Sequence, residues 1–370
     1  MPANRLESID EVLLLGPGPS PVYPEIYRAL STTTLGHLDP NFIALMDEIK
    51  ALLQKLLNTT NELTIPISGT GSAGMEACFV NLVEPGDKVL VLSNGVFGGR
   101  MQDVATRLGA LVDTLDFDWG TPVLVEQVEK QLQAKTYDMV AVVHAETSTG
   151  VGNPVADIGA LLKDKDTLFL VDGVTSLGGM PVELDAWGVD AFYSGTQKCL
   201  SCPPGLAPLS FSPAAVDKLQ KRESKVPNWY LDLSMITGYW SGAKRSYHHT
   251  APINMLYGLY QALYNVFDEG VEKVFARHQQ AHQELEENLS ELGLEFFVAK
   301  DARLPMLNAI KIPEGIDDAT VRSKLLNDFQ IEIGGGLGPL AGQVWRVGLM
   351  GHGARSSSVE RLCTALKSCL

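Results

Sequence analysis

The chain has 370 residues, enough for two packed domains, and an ordinary globular composition of 45 % hydrophobic and 20 % charged residues. Its formal net charge of −15 argues against nucleic acid or an anionic membrane as a partner, because both select basic surface. It does not exclude a local positive pocket for a small anion.

The opening residues, Met1-Pro2-Ala3-Asn4-Arg5, lack the apolar stretch of a signal peptide, and no apolar run approaches membrane-spanning length. Cys78, Cys199, Cys202, Cys363 and Cys369 form a sparse, odd set, so a reducing, cytoplasmic setting is expected. Cys199 and Cys202 make a lone C-x-x-C with no second pair or suitably spaced histidines. No metal site is therefore expected. The final Ser368-Cys369-Leu370 is like the peroxisomal S-K-L address without its basic middle residue, and reads as chance.

Along the chain, Gly16-Pro17-Gly18-Pro19-Ser20-Pro21 is too rich in Pro and Gly for a helix or central strand, so it is an extended arm or a backbone segment lining a pocket. Asp39-Pro40 reads as the N-cap and first residue of a helix, and Phe42, Leu45, Met46, Ile49, Leu52, Leu53 and Leu56 follow at helical spacing. Strands and helices then alternate. Strands are predicted at 63–67, 88–92, 139–144 and 167–171, with a further strand-like stretch after Gly109-Ala110. Helices are predicted at 72–83, 104–108 and 155–162. Strands that are apolar throughout, separated by amphipathic helices, predict a largely parallel sheet covered on both faces. After about Pro252 the pattern changes: a long helix over 271–292, a segment at 295–298, a helix near 317–329 and a strand at 344–349. The expected organisation is an N-terminal arm (1–20), a large α/β domain (21–265) and a smaller α+β C-terminal domain (266–370).

Several strand ends carry chemistry. Ile67-Ser68-Gly69-Thr70-Gly71-Ser72 joins a strand to a helix, and its glycines and helix N-terminus suit a phosphate. It lacks G-K-[ST], so it is not a nucleotide P-loop. Ser93-Asn94-Gly95-Val96-Phe97-Gly98-Gly99-Arg100 reads as the loop after the next strand, where Phe97 could stack on a flat ring. His144-Ala145-Glu146-Thr147-Ser148-Thr149-Gly150 follows another strand. Thr147 is a candidate donor to a ring or substrate, and His144 reads as buried rather than catalytic. Asp172 ends an apolar strand, and a carboxylate there needs a partner. Lys198, in Tyr193-Ser194-Gly195-Thr196-Gln197-Lys198, ends the strand-like run 189–193 one α/β unit later. That pair suits pyridoxal phosphate: the lysine can hold it as a Schiff base and the aspartate can pair with the protonated pyridine nitrogen. Arg346 interrupts an apolar strand and is read as a bidentate clamp on a substrate carboxylate, against a structural ion pair.

With these motifs, and with Tyr247-His248-His249-Thr250 and Gly335-Gly336-Leu337-Gly338-Pro339, the chain resembles the class V aminotransferases of fold type I over nearly its whole length. Within them it is most similar to the alanine–glyoxylate, serine–pyruvate and serine–glyoxylate enzymes. The resemblance implies an aspartate aminotransferase-like fold, with a large mostly parallel sheet domain and a smaller C-terminal domain. It further implies that Lys198 binds pyridoxal phosphate and moves the proton, that Asp172 pairs with the ring nitrogen and that Phe97 stacks on the ring. Thr70, Gly71, Ser72 and Gln197 would hold the phosphate. Tyr247 and Thr250 would reach the phosphate of a neighbouring subunit, making a homodimer. Thr147 contacts cofactor or substrate, Gly18 lies at the substrate, and Arg346 takes its carboxylate. The implied reaction moves an amino group from alanine or serine to glyoxylate by a ping-pong route. Ureidoglycine–glyoxylate transfer, a cysteine desulfurase or lyase, and a non-catalytic homologue stand as alternatives. Two positions depart from the animal alanine–glyoxylate enzymes, which often have His where this chain has Ser72 and Trp where it has Phe97. A desulfurase would need a mobile cysteine well after the lysine, and none occurs between Cys202 and Cys363.

Overall fold

The computed structural model describes residues 4–242 and 245–370. Seven strands form the main sheet: β1 (Leu63–Ser68), β2 (Lys88–Ser93), β3 (Leu111–Asp116), β4 (Met139–Val143), β5 (Leu168–Asp172), β6 (Ala191–Tyr193) and β7 (Leu206–Phe211). Their order across the sheet is β1-β7-β6-β5-β4-β2-β3. Strands β3, β2, β4, β5 and β6 pair in parallel, while β7 runs antiparallel to both β6 and β1. Six strands therefore point the same way and bring their C-terminal ends to one edge.

The central strands are buried along their full length, as expected where helices cover both faces. Helix α1 (Gly71–Leu82) follows β1 and helix α2 (Val96–Arg107) follows β2. Pro40–Leu56 forms the expected helix, and the Asp39 carboxylate accepts from the Asn41 N–H at 2.8 Å as its cap. Two differences from the sequence reading stand out. Helix α2 begins at Val96, so Phe97, Gly98 and Gly99 are helical rather than in a loop. Ile253–Glu269 is a helix of 17 residues where none was expected. Segment 295–298, left without an element type in the sequence reading, lies antiparallel to Ala309–Lys311 through the bridge from Phe296 to Ile310.

A second core gathers Leu285, Leu289, Ile310, Val321, Leu325, Trp345, Val347, Leu362 and Leu366. Around it lie a small antiparallel sheet (Leu307–Lys311, Val344–Gly348 and Gly334–Gly335) and the helices Val271–Glu291, Asp318–Phe329 and Ser356–Cys369. Leu15 belongs to this core. The preceding Leu13–Leu14 pairs in parallel with Ile331–Glu332, and Leu15 O accepts from the Gly348 N–H at 2.8 Å. The chain thus passes from the second core straight to the main sheet edge through Gly16–Pro19.

Candidate active site

A cavity of about 200 Å³ opens at the C-terminal strand edge, lined among others by Gly71, Ser72, Phe97, Thr147, Asp172, Gln197 and Lys198. They come from the segments that follow β1, β2, β4 and β6 and from the last residue of β5. A buried strand delivers the chain to the edge, and the residue just beyond it is free to face a ligand.

Asp172 is the last residue of β5, and its register partner on β6 is Tyr193. The Tyr193 hydroxyl donates to Asp172 Oδ2 at 2.7 Å, and the Val174 N–H donates to Oδ1 at 2.8 Å. Burial pushes this carboxyl up from 3.8 to about 6 against those two bonds. Lys198 sits five residues beyond the end of the same neighbouring strand and is only 8 % exposed. Burial, reinforced by the Arg346 charge, lowers its amine from 10.5 to about 8. Its Nζ donates to the carbonyl of Pro17. A Cβ on Gly18 would lie 2.7 Å from Lys198 Cδ and 2.9 Å from Nζ, at a φ of +108° that already favours glycine. The Gly/Pro-rich segment is therefore the wall against the lysine, the pocket-lining alternative of the sequence reading.

Gly71 and Ser72 form the first turn of α1, whose N-cap, Thr70, makes no side-chain cap bond. Its leading N–H groups remain for a ligand. Gln197 carries a buried Oε1 with no partner among the described residues. Thr70 itself is exposed and does not line the cavity. Tyr247 (53 % exposed) and Thr250 also lie outside it, with their hydroxyls 3.0 Å apart.

Arg346 is buried in the second sheet. Its Nε donates to Gly335 O at 2.7 Å and its Nη1 to Thr147 O at 3.1 Å. Both partners are carbonyls, so the guanidinium is oriented by neutral groups rather than by an ion pair. His144 is buried, edge-on to Trp187 at 5.3 Å, and burial drives its imidazole down to about 4. It stays neutral at physiological pH and does not line the cavity.

Sequence reasoning missed Tyr193, Pro17, Arg100 and Glu146. Tyr193 could have been found as the strand-end neighbour of Asp172 one unit on. Arg100 lies one helical turn after Phe97, with its guanidinium 4.7 Å from the Phe97 ring centre, and it lines the cavity. Pro17 acts through its carbonyl and Glu146 through a distant helix, and neither leaves a local pattern.

The donor set fits pyridoxal phosphate. One cavity holds an amine, a buried carboxylate suited to a ring cation, an aromatic side chain, an uncapped helix start and an orphaned amide. Comparison with known proteins agrees. The aminotransferase class-V family model matches residues 22–355. Rat alanine–glyoxylate aminotransferase is 38 % identical over 98 % of this chain and 88 % of its own length. The (S)-ureidoglycine–glyoxylate transaminase of Bacillus subtilis (strain 168) is 36 % identical over 96 % of this chain and 90 % of its own. A crystal structure of alanine–glyoxylate aminotransferase from Nostoc sp. is 48 % identical and superposes with a TM-score of 0.96, covering 100 % of this chain and 97 % of that one. The strand-edge cavity and these likenesses together identify the chain as a member of the class-V aminotransferase family, enzymes that work with pyridoxal phosphate.

Proposed function

We propose that this aminotransferase moves an amino group from alanine or serine to glyoxylate, giving glycine and pyruvate or hydroxypyruvate. The observation that carries the reading is the meeting of Lys198 and Asp172 on the walls of one cavity, in a chain similar end to end to proteins named for glyoxylate transamination. Bound pyridoxal phosphate would supply a ring able to accept the electron pair left when the donor loses its α-proton.

Lys198 Nζ would hold the cofactor, and Asp172 would supply negative charge for its ring nitrogen. Phe97 would cover one ring face, and Thr147 would contact cofactor or substrate. Thr70, Gly71, Ser72 and Gln197 would bind the phosphate. With its amine free, Lys198 Nζ would take the donor's α-proton as general base and would then give that proton up to the cofactor carbon rather than back to the donor. An amine held at about 8 is suited to that exchange near neutral pH. Arg346 takes the substrate carboxylate through its guanidinium, and Gly18 leaves room for the substrate beside Lys198. Tyr247 and Thr250, exposed in the single chain, reach the phosphate of a second subunit in a homodimer. The free thiols support a reducing, cytoplasmic setting.

Ureidoglycine as donor is a second reading, favoured by the likeness to the Bacillus subtilis transaminase. Desulfurase chemistry finds no support in the thiol beside the lysine: Cys199 is buried, donates to Thr175 O and is pushed up to about 12. The test is the absorption spectrum of the purified protein during half-reactions with alanine, serine, ureidoglycine and cysteine, followed by glyoxylate. Conversion of the bound cofactor to its amine form by alanine or serine, reversed by glyoxylate, is expected, and Lys198→Ala should abolish turnover. Conversion by ureidoglycine alone would replace the donor assignment. Undiminished steady-state turnover in Lys198→Ala would defeat the mechanism.

A further inference from the structure

The cofactor site leaves one fully buried carboxylate without a role. Glu146 has no exposed surface, and its hydrogen-bond partners are all neutral. It ends the short strand Ala145–Glu146, which pairs antiparallel with Val151–Gly152. Oε1 accepts from the Ser148 N–H at 3.0 Å and from the Ser148 hydroxyl at 2.6 Å. Oε2 accepts from the Phe97 N–H at 3.2 Å. The Ser148 hydroxyl oxygen accepts from the Val96 N–H at 3.0 Å.

The first two N–H groups of α2, those of Val96 and Phe97, are therefore taken by residues 148 and 146. A helix start leaves those donors without internal partners, and the α2 cap residue, Gly95, has no side chain to serve them. Glycine is needed there because a Cβ would lie 2.4 Å from Ser148 Oγ and 2.5 Å from Glu146 Cδ. The positive end of the helix also favours a carboxylate at this spot. On its other side the same loop offers the Thr147 carbonyl to Arg346. One loop thus holds the residue read as the ring-stacking aromatic and the residue read as the substrate clamp.

We propose that Glu146 is a positioning residue that holds Phe97 against the cofactor ring by capping α2 from outside the helix. The inference rests on the reading of the cavity as the pyridoxal phosphate site. Phe97 is the second residue of α2, and Oε2 bonds its own N–H, so loss of the carboxylate acts first on the stacking residue. In Glu146→Gln the shape is kept, but an NH2 group can be turned toward the helix N–H donors and the charge is lost.

The test is a double-mutant cycle on cofactor binding, with Glu146→Gln, Phe97→Leu and the double variant. Protein stripped of cofactor is titrated with pyridoxal phosphate, read by absorbance and by the circular dichroism of the bound cofactor. Each single change is expected to weaken binding by roughly tenfold, and the double by no more than about twofold beyond the weaker single. Glu146→Gln should also alter the cofactor's dichroism, because the ring packing changes. Losses that multiply to about a hundredfold, or wild-type affinity in Glu146→Gln, would overturn the proposal. If Glu146→Gln does not fold, Ser148→Ala takes its place in the cycle, with non-additivity expected and multiplied losses again decisive against it. Failure of the wild-type protein to bind pyridoxal phosphate would overturn the site reading itself, whereas wild-type binding with independent variants overturns only the role of Glu146.

Discussion

Asp172→Asn in the cofactor-free protein should change stability with a defined dependence on pH. Burial holds the Asp172 carboxyl at about 6, raised from 3.8, so the folded state binds this proton more tightly than the unfolded chain. Its contribution is fully present below 3.8 and is lost as the pH rises through 6. The displacement corresponds to ~3 kcal/mol, of which ~2 kcal/mol falls between about pH 4 and about pH 7. The Asn variant does not titrate, so it should gain ~2 kcal/mol on the wild type across that interval. A pH-independent offset from the altered bond to Tyr193 is superimposed. Urea denaturation of both cofactor-free proteins at the two pH values measures this directly. Added pyridoxal phosphate should reverse the ranking at neutral pH, because a ring cation then needs the carboxylate. A stability difference that is the same at both pH values would refute the reasoning, since it would mean that burial exacts no penalty from Asp172.

Arg346→Ala should raise KM for donor and acceptor alike by roughly tenfold or more, with a smaller change in kcat, because both substrates carry the carboxylate. Unchanged KM values in steady-state kinetics would remove the clamp. Gly18→Ala should displace Lys198, given the 2.7 Å approach and the positive φ. Slower cofactor uptake and a kcat lowered by more than about tenfold are expected, since ångström misplacement at a reacting group is costly. Tyr193→Phe removes the 2.7 Å donor to Asp172. It should weaken cofactor binding by roughly tenfold, the scale of one lost bond to a buried charge, as read by titration of the stripped protein.

How legible each part was depended on how local its cause is. Strand β4 is apolar from end to end, and β2 and β5 are apolar between Lys88, Ser93 and Asp172 at their ends, a composition that announces strands with both faces covered. Asp172 and Lys198 were legible as candidates only together: each alone has a bland explanation, but several strand-end segments with compatible chemistry in one sheet do not. The start of α2 was not. Gly98 and Gly99 argue for a loop by propensity, yet a Cβ at 98 would press on Ser93 at 2.9–3.0 Å, and the turn is held by Glu146 from 49 residues downstream. Strand β7 carries Pro208, which faces Pro66 across the β1 pairing. Proline normally marks an edge strand, so nothing local announces a strand paired on both sides. The helix Ile253–Glu269 starts at Pro252 without a side-chain cap and contains Gly258. Its glycine packs against Leu30 and Cys202, and burial on several faces blurs the helical period.

By itself the sequence determined the alternation of strand and helix, the chemical types at the strand ends and the family likeness, because these follow from hydrophobic period and from short motifs. Only the tertiary structure decided which of those ends share one cavity. It also decided that Pro17 and Gly18 press on the lysine, that Tyr193 serves Asp172, and that a carboxylate on one loop caps the helix of another. Hydrogen bonds and close packing join residues by distance in space, and chain separation leaves no trace of that in a local pattern.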